Sequence, residues 1–139
     1  AAKVAYGNLI MIGSALSGEG KTHTCINLAL SIAMEKDRTV LLVDGDVAKP
    51  TVSEVFGVAD QPGLLDALEE GHAGLHEMLL HTDLPRLRLL PAGRPRPSAT
   101  ELLTSDRMRE LWDSLTADER AAVLVFTDET IDSPAGEKN

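Results

Sequence analysis

The chain has 139 residues and a formal net charge of −9, from 13 Lys and Arg against 22 Asp and Glu. That length suits one domain able to bury its own core, and 43% apolar with 25% charged residues is the balance of a globular protein, not a disordered chain. The acidity excludes a nucleic-acid binder that works through a broad basic surface, and aromatics at 3% (Tyr6, Phe56, Trp112 and Phe126) leave no base-stacking platform.

Asn8 to Ile12 (NLIMI) is a short apolar run without alternation, which predicts a strand buried on both faces. A small-residue loop, Gly13 to Gly20, follows. From Lys21 the period changes: Cys25, Leu28, Ala29, Ile32 and Ala33 recur at helical spacing, predicting an amphipathic helix that ends near Lys36 and Asp37. Thr39 to Val43 (TVLLV) is a second buried strand. After Pro50 the pattern is less regular until Gln61-Pro62-Gly63, a turn signal before a short helix from Leu64 to Glu70 closed by Gly71. A second short helix is expected over Gly74 to Leu80.

Arg86 to Leu90 (RLRLL) reads as a third strand and Pro91 to Pro97 as a loop whose two arginines make a local positive spot. Ser98 with Glu101 matches a capping box, so a helix begins there. After a break at Thr104-Ser105, Met108, Leu111, Trp112 and Leu115 continue a helical face. Ala121 to Phe126 (AAVLVF) is a fourth buried strand, and 127–139 is a polar tail expected to fray. Alternating elements with buried strands predict an α/β fold, a parallel sheet with helices on both sides, in a single domain over 1–126.

No apolar run approaches the roughly twenty residues a membrane-spanning helix needs, and Ala1 to Tyr6 has neither signal-peptide nor transit-peptide character, so a soluble protein is expected. A single cysteine, Cys25, cannot form an internal disulfide and fits a reducing compartment. His72 and His76 share a helical spacing, but two ligands alone make a poor metal site.

The strongest chemical signal is Gly18-Glu19-Gly20-Lys21-Thr22 between a predicted strand and a predicted helix. A glycine-rich turn at a helix N-terminus aims backbone N–H groups at an anion; Lys21 can reach terminal phosphates, and the Thr22 hydroxyl can hold Mg²⁺. The strict phosphate-loop pattern wants glycine where Ala15 stands, although Gly13 lies two residues earlier. The second signal is Asp44-Gly45-Asp46 at the end of the second strand, where open α/β sheets bind ligands. Two carboxylates one residue apart can divide labour, one holding a metal's water shell while the other accepts a proton from an incoming hydroxyl.

Gly13 to Thr22 with Asn27-Leu28-Ala29, the run Leu41 to Pro50, Pro62-Gly63-Leu64, and Leu90-Pro91-Ala92-Gly93 leading into Thr100-Glu101-Leu102-Leu103 together resemble the bacterial tyrosine kinases of capsule and exopolysaccharide synthesis. The match is closest to their exosortase-associated, CpsD/CapB-like branch and spans about Gly7 to Phe126. The resemblance implies a MinD-like P-loop fold, a three-layer α/β/α arrangement around a mostly parallel sheet, with ATP and Mg²⁺ as cofactors. It implies that the run from Ser17 through Gly18, Glu19, Gly20, Lys21 and Thr22 to His23 cradles ATP. Thr22 and Asp44 would support the metal, and Asp46 would act as base or orienting group for an attacking tyrosine. It also implies a membrane-embedded chain-length (polysaccharide co-polymerase) partner as activator, an oligomer for the full-length protein, no nucleic-acid partner, and a cytoplasmic place at the inner face of the plasma membrane.

The chain departs from that family at several points. Ser17 stands for a usual proline and Ala48 for a usual arginine. The family's Walker B aspartate should follow four apolar residues directly, but Thr127 and Asp128 follow Phe126, and Asp132-Ser133-Pro134-Ala135 resembles the motif five residues late; Asp132 and Asp128 both remain candidates. The sole tyrosine is Tyr6, so the family's tyrosine-rich tail is missing, and against the family the chain looks cut short at both ends. Two other functions stay open: a MinD/ParA-type ATPase, disfavoured because Leu16 replaces that group's additional lysine, and a nucleotide-binding regulatory module without turnover.

Overall fold

A computed structural model describes residues 8–12, 19–35, 38–71, 74–84, 86–117 and 121–127. The order is β1 (Leu9–Ile12), α1 (Glu19–Glu35), β2 (Thr39–Asp44), α2 (Thr51–Val55), α3 (Leu64–Glu70), α4 (Leu75–Met78), β3 (Leu80–His81), β4 (Leu87–Leu90), α5 (Ala99–Leu103), α6 (Asp106–Leu115) and β5 (Ala121–Phe126). The strands form one sheet in the order β1-β5-β2-β4-β3. All pairings are parallel except β3 with β4.

Side-chain alternation along the central strands explains why their sequences are apolar throughout. In β2, Val40 and Leu42 pack with Cys25, Ala29 and Ala33 of α1 and Val52 of α2, whereas Leu41 and Val43 pack with α3 and with Met108, Leu111 and Trp112 of α6. In β5, Ala122, Leu124 and Phe126 take the α1 side, and Val123 and Val125 the other. A strand covered on both faces has no polar side to show. The result is the expected three-layer α/β/α sandwich.

Four local expectations change. The strand Arg86 to Leu90 is the fourth rather than the third, because the chain leaves α4 at Met78 and adds a two-residue antiparallel edge strand, β3, where a continued helix to Leu80 was expected. The irregular stretch after Pro50 contains α2. β1 is not buried on both faces: among the described residues it stands at the sheet edge, paired with β5 alone, and Ile10 is 40% exposed. On α1, Leu28 also faces outward at 38% exposure, leaving Cys25, Ala29 and Ala33 buried, with Ile32 of the expected face packed beside them.

The predicted capping box at Ser98 and Glu101 does not form; Ser98 makes no side-chain cap hydrogen bond and contributes its carbonyl to Leu102 N–H instead. One half of such a device exists two helices earlier. There the carboxylate of Asp66, in the first turn of α3, accepts from Gly63 N–H at 2.9 Å. Helix α3 then ends at Gly71, whose φ of +80° is the left-handed cap that favours glycine.

Candidate functional site

The carboxyl ends of β1, β5 and β2 lie side by side, because Phe126 is in register with both Ile12 and Asp44. Two backbone hydrogen bonds extend this edge, Gly45 N–H to Phe126 O at 2.6 Å and Thr127 N–H to Ile12 O at 3.1 Å. In an open parallel sheet this edge is the place for a ligand. The first turn of α1 carries Gly20, Lys21, Thr22 and His23 to it. Thus Lys21 and the Asp44-Gly45-Asp46 run, far apart in sequence, meet across the end of β5.

Lys21 is nearly buried, at 8% exposure. Its Nζ donates to Thr127 O at 3.1 Å and lies 5.0 Å from the centre of the Phe126 ring. A carbonyl and an aromatic face both attract an ammonium but neither cancels its charge. The lysine is therefore held at the sheet edge with its positive charge unneutralised by these two contacts. Thr22 beside it is buried, and His23 is exposed.

Asp44 is fully buried. Its Oδ2 accepts from Ser53 N–H at 2.8 Å and from the Ser53 hydroxyl at 2.6 Å, and its Oδ1 accepts from Asp46 N–H at 3.2 Å. Burial pushes its carboxyl up to about 6; the hydrogen bonds from Ser53 and Asp46 pull the other way, and the charge of Asp46 adds a smaller upward push. The neighbouring Cys25 thiol is pushed up to about 12, first by burial and then by Asp44, with Lys21 opposing. Cys25 at neutral pH is therefore a packed thiol and no nucleophile.

Relative to an ordinary carboxyl at 3.8, Asp44 takes up a proton more readily in the folded chain. Its contribution to stability is complete below pH 3.8 and is lost as pH rises through about 6. That rise corresponds to at most about 3 kcal/mol of cost at neutral pH. Asp44→Asn removes that charge while setting an amide against Asp46 N–H, a loss of about 1 kcal/mol. Urea unfolding in the absence of nucleotide is expected to find Asp44→Asn about 1 to 2 kcal/mol more stable than wild type at pH 7. The gain should vanish near pH 4; an equal gain at both pH values would contradict the burial argument.

A buried carboxylate with only neutral donors around it fits a hard cation, and the oxygen donors of Thr22 and Asp44 are of the kind Mg²⁺ takes. Among the described residues there is no cluster of three or more His, Cys, Asp and Glu able to hold a metal without a ligand's help.

Ser53 was not visible in the sequence as a site residue. It sits in α2, nine positions after Asp44, and no spacing rule links a serine there to a strand-end aspartate. Its hydroxyl also accepts from Ala92 N–H at 3.1 Å, joining the loop after β4 to the site. That loop is clamped to α3: Leu64 N–H donates to Pro91 O at 2.8 Å and Leu65 N–H to Ala92 O at 3.0 Å. Asp66 Oδ2 takes Arg94 N–H at 3.1 Å as well as Gly63 N–H, and Arg96 pairs with Asp66 and Glu69. Burial opposes ionisation of Asp66, but the hydrogen bonds from Gly63, Arg96 and Arg94 together hold its carboxyl below the usual range. The expected positive spot is accordingly reduced, since Arg96 is spent on this clamp and Arg94 alone of the two is exposed.

Ser17, Gly18, Asp128 and Asp132 lie outside the described residues, as do most of the Gly13 to Gly20 loop, the 128–139 tail and His72 of the histidine pair.

No family model matches the sequence. Among curated proteins, tyrosine-protein kinase YwqD of Bacillus subtilis is 36% identical over 102 residues, which covers 73% of this chain and 42% of YwqD. Among solved structures, the kinase domain of the Escherichia coli tyrosine kinase ETK superposes with a TM-score of 0.76 at 30% identity, covering 88% of this chain and 47% of that one. The chain is thus similar to bacterial tyrosine kinases in both sequence and structure. The septum site-determining protein MinD of Pyrococcus horikoshii, complexed with Mg-ADP, matches at 29% identity and a TM-score of 0.65 over 94% of this chain and 50% of that one, so the MinD-like P-loop fold is also in place. The chain spans less than half the length of the tyrosine kinase relatives described here. Among the described residues no helix is long and apolar enough to cross a membrane.

Proposed function

We propose that this chain is the nucleotide-binding part of a protein-tyrosine kinase that transfers the γ-phosphate of ATP to tyrosine, chiefly tyrosines of its own full-length protein, in the control of exopolysaccharide or capsule synthesis. The observation that carries the reading is the convergence of Lys21 and the buried Asp44 at the carboxyl edge of β2 and β5. The loop from Ser17 to Lys21 and the N-terminal amides of α1 bind the phosphates. Thr22 and Asp44, with Asp132 from the tail, are the residues to hold Mg²⁺, which when bound neutralises phosphate charge. Lys21 leaves Thr127 O for the terminal phosphate, and Asp46 orients the tyrosine hydroxyl or accepts its proton. Positioning and charge neutralisation supply most of the catalysis in such a transfer.

Asp46 separates binding from transfer. Asp46→Asn in the full-length protein is expected to keep ATP affinity within about threefold while slowing phosphotyrosine formation by roughly 100-fold or more. Equilibrium binding and radiolabelled ATP incorporation measure the two effects. A variant with normal binding and a full transfer rate removes Asp46 from the role.

The similarity to these kinases also supports a membrane chain-length protein as activating partner, assembly into an oligomer, and recruitment to the inner face of the plasma membrane. The likeness to MinD favours one second reading, an ATPase whose turnover drives association instead of transfer. Incubating the full-length protein with radiolabelled ATP distinguishes them: phosphotyrosine formation supports the kinase, and phosphate release without phosphotyrosine supports the ATPase. ATP binding with neither leaves a regulatory module without turnover.

A further inference from the structure

Resting on that nucleotide-binding reading, we infer that Ser53 is a positioning residue that fixes how the Asp44 carboxylate meets the Mg²⁺ of the bound nucleotide. Ser53 is fully buried and reaches Asp44 through two donors, its N–H and its hydroxyl, both on Oδ2. A carboxylate has about four lone-pair positions. Oδ2 is filled by Ser53, and Oδ1 holds one bond, from Asp46 N–H. The one remaining position is therefore on Oδ1, the oxygen turned toward the Asp44-Gly45-Asp46 turn.

The hydroxyl proton has a fixed direction. Ser53 Oγ accepts from Ala92 N–H at 3.1 Å, so its own proton goes to Asp44. Ala92 is itself immobilised by Leu65 N–H on its carbonyl at 3.0 Å. One serine thus ties β2, α2 and the loop after β4 to a single carboxylate orientation. Without the hydroxyl the Asp44 carboxylate keeps only backbone donors, and Ala92 N–H is left without its partner. Outer partners of this kind tune metal affinity by 10- to 100-fold in other sites.

Binding of a fluorescent ADP analogue to the 139-residue chain, with Mg²⁺ and with EDTA, tests the assignment. In Ser53→Ala, affinity with Mg²⁺ should fall about 10- to 100-fold while affinity in EDTA stays within about twofold. Ser53→Thr, which retains the hydroxyl, should recover most of the Mg²⁺-dependent gain. Equal losses in Mg²⁺ and EDTA would mark a structural role and overturn the inference, as would a folded Ser53→Thr that recovers nothing. If Ser53→Ala does not fold, Ser53→Cys, with its weaker donor, must show the selective loss, and failure of both to fold also assigns the residue to stability alone. A wild-type chain that binds the analogue with a Mg²⁺-dependent gain that Ser53→Ala keeps sinks this inference only. A wild-type chain that binds none sinks the nucleotide reading with it.

Discussion

Lys21→Ala in the full-length protein is expected to abolish detectable phosphotyrosine formation, a loss of roughly 100- to 1,000-fold or more, and to weaken ATP binding. The expectation follows from where the lysine is kept. Its ammonium is nearly buried against Thr127 O and the Phe126 ring, in a setting that holds the charge without neutralising it. An anion placed at the sheet edge replaces a carbonyl and a ring face with a full negative charge, a stronger charge-assisted partner. Alanine removes the only cation that the described part of α1's first turn brings to that edge. The fold should survive, because Lys21 spans the edge of the core and Cys25, Ala29 and Ala33 remain packed. Circular dichroism with radiolabelled ATP incorporation checks both halves. A folded variant that still phosphorylates within about tenfold of wild type would remove Lys21 from the transfer step.

The sequence made part of this legible and part not, for a physical reason. β2 and β5 are runs buried on both faces, and α3 is bounded by Pro62-Gly63 and Gly71; such features are local, so composition and period reveal them. Lys21, Asp44 and Asp46 stood out because a loop before a helix and a strand end are places where chemistry collects, whatever the rest of the chain does. What escaped depends on contacts between distant segments. Ser53 is a serine in a five-residue helix, and only the folded sheet brings it to Asp44 and Ala92. The two-residue β3 exists only by virtue of its pairing with Leu89 and Arg88. Arg96 read as a free positive charge because its acidic partners lie 27 and 30 residues away. Pro62-Gly63-Leu64 and Leu90-Pro91-Ala92-Gly93 looked like separate motifs, yet they are the two sides of one joint.

That joint yields the largest expected effect on stability. Gly63 has a φ of −165°, extended backbone open to any residue, so its glycine is not required by conformation. It is required by space: a Cβ there would stand 2.1 Å from Pro91 O, 2.6 Å from Pro91 C and 2.9 Å from Gly93 N. All three are backbone atoms, so no side-chain rotation makes room. Gly93 is fixed in turn, with φ at +98° and the Asp66 carboxylate and Leu65 N–H 2.9 Å from where its own Cβ would be. Gly63→Ala must therefore push α3 off the loop, stretching Leu64 N–H to Pro91 O and Leu65 N–H to Ala92 O together. Overpacking against backbone with loss of buried hydrogen bonds costs about 3 kcal/mol or more, a large part of the stability of a domain this size. Urea unfolding should show it as a fall in the midpoint at nearly constant slope. Because Ala92 N–H also orients Ser53, the folded fraction of Gly63→Ala should bind the ADP analogue with a reduced Mg²⁺-dependent gain. A variant within about 1 kcal/mol of wild type would mean that the loop and α3 part without cost, and that Pro91 O is not the fixed wall this packing makes it.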